Sequence, residues 1–420
     1  MRTTLLAFCP LAAGLAWTTA ILNPAAAQSP SVTASPAPEM RAASTPGGNS
    51  KSAEKKKGWR VAPALGVDAE YDDNVFLLAL LKKDNLAAPS SAEAISGRYA
   101  DMQSAKDVLT TMSAGLSLKG PGLFGRSTTV TPGVAYELYT RNTARSNVSL
   151  GLALQQELTA GSRLRVQGRL TPNYFARNYM ADAVDLDGNG SIADAERVYV
   201  SGEYREGEFG ADYRLRLAKS SKKQPFGASL QLGGGYYNRT YDAVLSGRGL
   251  HGPTAGAKLQ VDLGQRISVD VGYDYASLAA DRSNQVVLLD EPDFGQDLNG
   301  NGTTTDLSAR ALTMVDRSRS EQSLGASLQF GFSKPVDLTL GYEHRWRSYA
   351  SDWSLDVVNR GRRDTRNQMS ADLRIRLTKE LRLRLGGVHA AQKLNRAGDP
   401  TGEIDDYNRS VGRLGLSYEL

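Results

Sequence analysis

Ile267-Ser-Val-Asp-Val-Gly-Tyr-Asp-Tyr275 sets Ile, Val, Val, Tyr and Tyr at alternate positions, with Ser, Asp, Gly and Asp between them. Successive side chains of a strand point to opposite faces, so this stretch builds one apolar face and one small or charged face. The alternation returns in Leu381-Arg-Leu-Arg-Leu385, Leu373-Arg-Ile-Arg-Leu377, Leu324-Gly-Ala-Ser-Leu-Gln-Phe-Gly-Phe332, Leu164-Arg-Val-Gln-Gly-Arg-Leu170 and Leu414-Gly-Leu-Ser-Tyr-Glu-Leu420. Worked outward from these, the pattern marks about fourteen strands: 59–71, 107–119, 127–141, 146–158, 161–175, 203–219, 225–241, 253–263, 266–279, 319–333, 336–349, 364–378, 380–393 and 407–420. The expected class is all-β.

Strand length separates a soluble sandwich from a membrane barrel. Most of these spans run 11–17 residues, whereas strands of soluble sheets average about 5–6. A tilted strand needs roughly 9–11 residues to cross the hydrocarbon. The connections also alternate. Thr159-Ala-Gly161, Gly264-Gln265, Lys334-Pro335 and Lys379 are tight, whereas 72–106, 176–202, 242–252, 280–318, 350–363 and 394–406 are long. Short periplasmic turns and long external loops are the sequence signature of an antiparallel up-and-down transmembrane barrel. Tyr136, Tyr174, Tyr236, Tyr273, Tyr275, Tyr342 and Trp346 fall near the external strand ends, where an interfacial aromatic girdle is expected.

The chain terminus points the same way. Arg413-x-Gly415-x-x-Tyr418-x-Leu420 resembles the C-terminal signal of bacterial outer-membrane barrels, although that family usually ends in Phe or Trp. Glu70-Tyr-Asp-Asp-Asn-Val-Phe76 is similar to the opening segment of porin-like single-chain barrels. The resemblance covers residues 59–420 and implies outer-membrane lipid and the barrel-assembly machinery as partners. It implies a porin-like architecture and an outer-membrane location, not a cargo; transport of small solutes is expected from the polar lumen and the strand count.

Met1-Arg2, the apolar stretch from Leu5 to Leu22 and the small residues Ala25 and Ala27 read as a secretory signal over 1–27. Residues 28–58, rich in Pro, Ser and Lys, read as a disordered periplasmic tether. Past the signal the longest apolar run is Val75 to Leu81, far short of the roughly 20 residues of a spanning helix. That run is expected to pack against the lumen mouth or to form a short surface helix. Of the net charge of +5, Arg2 supplies one and Lys51–Arg60 a net four, which leaves the body neutral. A neutral body is not a nucleic-acid surface.

The one cysteine, Cys9, lies in the signal, and three histidines (His251, His344, His389) do not suggest a multi-histidine zinc centre. No nucleophile elbow, phosphate loop or dinucleotide fingerprint appears. The expectation is therefore not an enzyme.

Two loops carry a different chemistry. Asp185-Leu-Asp187-Gly-Asn189-Gly190-Ser191-Ile192-Ala193-Asp194-Ala195-Glu196 satisfies every defining position of an EF-hand calcium loop. Asp185, Asp187 and Asn189 would bind through side-chain oxygens, Ser191 through its carbonyl and Glu196 through both carboxylate oxygens. No helix pattern flanks it, so the expected affinity is the extracellular range of about 10⁻⁴–10⁻³ M. A weaker copy, with Asp297, Asn299, Asn301, Thr303 and Asp306, has Ser308 where the bidentate Glu belongs. Ca²⁺ is the one cofactor the sequence implies.

By strand parity the inward face carries Arg163, Arg165, Arg169, Arg214, Arg216, Arg345, Arg347, Arg374, Arg376, Arg382, Arg384 and Arg413. Glu137, Glu157, Asp212, Asp262, Asp270, Asp274, Glu343, Asp372 and Glu419 share that face. Such a lumen is either a wet channel or an interior of paired charges. The functional expectations are a small-solute channel with calcium-stabilised loops, a surface barrel that binds a partner or glycan through those loops, or a barrel that assists secretion.

Overall fold

The computed structural model describes residues 58–78, 86, 99–183, 197–219, 226–264, 266–280, 283–289, 309–333, 335–352, 356, 358–395 and 406–419. The signal, most of the tether and both calcium-type loops lie outside the described residues.

Fourteen antiparallel strands close on themselves. They are β1 (Arg60–Asp72), β2 (Asp107–Pro121), β3 (Ser127–Tyr139), β4 (Asn147–Glu157), β5 (Ser162–Ala183), β6 (Arg197–Ala218), β7 (Phe226–Tyr241), β8 (Leu250–Leu263) and β9 (Ile267–Leu278), followed by β12 (Arg319–Ser333), β13 (Val336–Tyr349), β14 (Arg363–Arg376), β15 (Leu381–Leu394) and β16 (Tyr407–Glu419). Each pairs with its chain neighbour in the barrel, and β1 pairs with β16 to complete the ring. Closure leaves no unpaired edge, which a lipid environment requires.

Between β9 and β12 the chain adds a separate hairpin, β10 (Ser283–Leu289) with β11 (Ala309–Val315), which the strand spacing did not announce. Its connection contains the weaker calcium-type loop. The stronger one joins β5 to β6, each 22 residues long.

Period two sorts the side chains as expected. Leu65, Val67, Leu116, Leu150, Leu152, Val271, Leu324, Leu385, Leu414 and Leu416 stand exposed on the outside. Glu70, Asp72, Glu137, Asp212, Arg345 and Arg409 are buried on the inside. An exposed apolar girdle and a buried charged interior invert the arrangement of a soluble protein. Tyr136, Tyr236, Tyr273, Tyr275 and Tyr342 lie outward, and the Trp346 ring stands 5.4 Å from that of His344 on the same face.

Tyr174 corrects the expected girdle. β5 shifts register between Thr171 and Tyr174, and again between Phe175 and Asn178. A bulge adds a residue and reverses the parity beyond it, so Tyr174 is buried inside the mouth.

Val75, Phe76 and Leu78 pack with Leu86, Met102 and Ala105 on the inward-facing Leu109 and Tyr139 and on Phe175. Of the two expectations for the apolar run, its described part follows the first. It packs at the lumen mouth.

Candidate functional site: the barrel lumen

The lumen has two levels. At the loop end, inward side chains are large and buried: Asp72, Leu109, Tyr139, Tyr174, Tyr204, Tyr241, Leu250, Leu278, Arg347 and Tyr407. Towards the turn end the wall falls to Gly and Ser with partly exposed charges. There a recess of about 210 Å³ is bounded by Lys258, Asp270, Asp274, Ser323, Glu343 and Gln368.

The mouth is built by arginines set among aromatic rings. Arg145 comes from the three-residue 3-10 turn between β3 and β4 and is fully buried. Its guanidinium lies 4.9, 5.3 and 5.1 Å from the centroids of Phe76, Tyr139 and Tyr174. It donates to the Ala176 carbonyl at 2.5 Å and to the Tyr174 hydroxyl. Burial opposes the Arg145 charge, yet the neighbouring Tyr174 and Tyr139 raise its pKa above the ordinary arginine value. Phe76 belongs to the β1–β2 connection, so Arg145 clasps that segment to the wall.

A second cluster stacks Tyr174, Tyr204, Tyr241 and Tyr179, with successive centroids 5.0, 5.2 and 6.1 Å apart. Arg239 lies 4.2 Å over Tyr204, pairs with Glu206, and has Arg248 as its counterpart 4.0 Å over Tyr179. Sequence reading missed both clusters. Inward parity of Tyr204, Tyr237 and Tyr241 was the available signal, hidden by the β5 bulges that bring Tyr174 and Tyr179 to them.

On the β12–β16 side and across the seam to β1 the interior is a network of ion pairs. Glu321 Oε1 lies 2.6 Å from Arg319 Nε and 3.0 Å from Arg347 Nε. Arg362 Nε lies 2.9 Å from Asp364 Oδ1. The β1–β16 seam is crossed by Arg409–Asp72 at 2.6 Å and Arg413–Glu70 at 2.8 Å. Lower down are Arg384–Asp372 at 2.7 Å, Arg345–Glu343 at 2.7 Å and Lys258–Asp270 at 3.1 Å.

Of the lumen arginines expected from sequence, Arg345, Arg347, Arg384 and Arg413 sit in these pairs. Arg165 opposes Asp212 across β5 and β6, and Arg374 opposes Arg384 across β14 and β15. Arg376 opposes Arg382 in the same ladder, at the turn end.

Glycine makes room for two of the acids. A Cβ at Gly386 would stand 2.5 Å from Asp372 Oδ1, and one at Gly415 only 1.9 Å from Asp68 Oδ1. Gly415 therefore has a local packing reason, besides its place in the terminal pattern with the inward Arg413 and the outward Tyr418. Leu420 lies outside the described residues, as do Asp185, Asp187, Asn189, Ser191, Glu196, Asp297, Asn299, Asn301, Thr303 and Asp306. Among the described residues no group of three or more His, Cys, Asp or Glu is placed to hold a metal.

A closed antiparallel barrel, apolar outside and charged inside, defines the class. No protein-family model matches the chain, and no curated protein matches it. Solved structures are similar in fold. The outer-membrane channel DcaP of Acinetobacter baumannii is 10% identical with a TM-score of 0.39, over 86% of this chain and 97% of that one. A FadL homologue of Pseudomonas aeruginosa is 10% identical with a TM-score of 0.36, over 85% and 90%. The β domain of the Bordetella autotransporter BrkA is 11% identical with a TM-score of 0.35, over 86% and 99%. The likeness extends to the barrel and no further.

Proposed function

We propose that this chain is an outer-membrane channel for small polar solutes, not an enzyme, with a mouth narrowed by packed aromatic and arginine side chains. One observation carries the reading. The inward wall below the mouth is lined by small and charged residues around a recess of about 210 Å³, inside an apolar exterior suited to lipid. A barrel of this strand number is wide enough to leave a passage unless side chains or loops fill it. Charged walls favour hydrated cargo over apolar cargo.

The calcium reading belongs to the same proposal and rests on the spacing of Asp185, Asp187, Asn189, Ser191 and Glu196. Calcium there would order the connection between β5 and β6 rather than perform chemistry. The 22-residue length of both strands favours a second role for that hairpin, as a surface that binds a partner or glycan. Single-channel conductance of the refolded mature chain, in calcium and then in chelator, tests the proposal. Steady conductance supports the channel, and a calcium-dependent change supports loops that narrow it. Silence in both conditions refutes the channel and leaves the surface-binding role.

A further inference from the structure

Arg366 on β14 differs from the other arginines of the network. Its Cα partners are Arg345 on β13 and Gln392 on β15, and Gln392 in turn opposes Tyr407 on β16. One inward row therefore reads Arg, Arg, Gln, Tyr across four strands. Arg366 is 7% exposed, and Gln392 and Tyr407 are as deeply buried. Like charges directly opposed across a ladder repel, and a buried guanidinium needs a counter-charge.

Each nearby carboxylate is engaged elsewhere. Glu343 Oε1 takes Arg345 Nε and Nη2 at 3.1 and 2.7 Å. Asp364 takes Arg362 through both oxygens at 2.9 and 3.0 Å. Asp72 Oδ2 takes Arg409 at 2.9 and 2.6 Å. Arg366 itself donates from Nη2 to Gln368 Oε1 at 2.6 Å, while its buried Nε has no hydrogen-bond partner. Gln368 and Glu343 both line the recess below. A cation whose one hydrogen-bond partner is a neutral amide thus stands behind Gln368, which itself lines that polar space.

We infer that Arg366, with Gln392 and Tyr407 beside it, forms a binding position for a small oxyanion, a carboxylate or a phosphate, that enters through the recess. The guanidinium fork offers paired N–H donors suited to two oxygens of either group. The tyrosine hydroxyl and glutamine amide supply further donors. The inference narrows the proposed cargo to small anions and rests on the channel reading for its route, but the site can be assayed without transport.

The test uses the full mature chain folded in detergent. Its thermal unfolding midpoint is followed against inorganic phosphate, and separately against acetate, at constant ionic strength. Wild type is compared with Arg366→Gln and with Arg366→Lys, which keeps the charge and loses the fork. The expected result is a saturable rise in wild type, with half-saturation weakened roughly tenfold or more in Arg366→Gln, the loss for one charge-assisted contact. Arg366→Lys should fall between. A response to phosphate alone or acetate alone assigns the oxyanion.

Equal shifts in all three proteins would reflect ion exclusion alone and overturn the site. So would a flat response in wild type. If Arg366→Gln fails to fold, phosphate-dependent quenching of wild-type conductance that Arg366→Lys weakens carries the same decision. A barrel that conducts but ignores both anions refutes the site and leaves the channel. One that binds anions without conducting refutes the channel and leaves the site.

Discussion

Replacing Arg145 with methionine keeps most of the side-chain volume at the mouth and deletes the cation. Two charge-assisted hydrogen bonds disappear, to Tyr174 and Ala176, worth about 1.5 kcal/mol each at the lower end. Three aromatic faces within 4.9–5.3 Å lose a desolvated cation–π contact of about 2 kcal/mol. Against this gross loss stands relief of a desolvation penalty of several kcal/mol for a buried ion. With about 3 kcal/mol returned, the net loss is about 2 kcal/mol. That loss falls on the segment Arg145 clasps rather than on the strands. The local opening equilibrium of residues 73–78 should therefore rise about 30-fold. Hydrogen exchange at Val75 and Leu77, whose amides bond Ala105 and Asn74, reads it directly, and single-channel conductance should increase as the mouth loosens. Unchanged protection at both amides, with unchanged conductance, would refute the idea that Arg145 holds this segment in place.

Other expectations concern separate parts of the wall. Glu321→Gln leaves Arg319 and Arg347 without their shared carboxylate, so guanidinium unfolding of the detergent-folded barrel should show a loss of about 3–5 kcal/mol. Gly415→Ala places a Cβ against Asp68 and should cost about 1–2 kcal/mol by overpacking. Adding Asp68→Ala should restore most of it in the same assay, and failure of that rescue would mean that the terminal pattern matters for another reason. Glu196→Ala removes the proposed bidentate ligand, so a calcium-dependent conductance or melting shift with a midpoint of about 10⁻⁴–10⁻³ M in wild type should vanish.

The class of fold was legible because lipid outside and water inside impose a strict period of two. In Ile267–Tyr275 nothing competes with that period, and the strand appears where the alternation puts it. Parity tells the side a residue faces, but neighbouring strands can slide, so it does not tell its partner. Arg384 could be assigned inward from its position alone, while its pairing with Asp372 on the neighbouring strand and the placement of Arg366 opposite Arg345 depend on register. Tyr174 was misplaced for a related reason. A bulge changes parity, and its one local sign here was Pro172, which cannot donate to the ladder and stands inside the shifted stretch Thr171-Pro-Asn-Tyr174. Arg145 and Phe76 lie in connections, where no period exists to orient a side chain. The β10–β11 hairpin is only seven residues per strand, too short for the alternation to stand out within a long loop.

The seam between β1 and β16 also sets a timetable. Ala64 must find Glu419 and Asp72 must find Val411, and the Arg409–Asp72 bond joins residues 337 positions apart. Such distant contacts form late, because their loop entropy is lost before any pairing repays it. Until then the chain carries two bare edges, each a template for the wrong neighbour. The buried Arg409–Asp72 and Arg413–Glu70 pairs act across this last junction, so weakening them should lengthen the lifetime of the unclosed sheet more than it alters any finished strand. The protein is thereby most vulnerable to aggregation in the interval before its first and last strands meet.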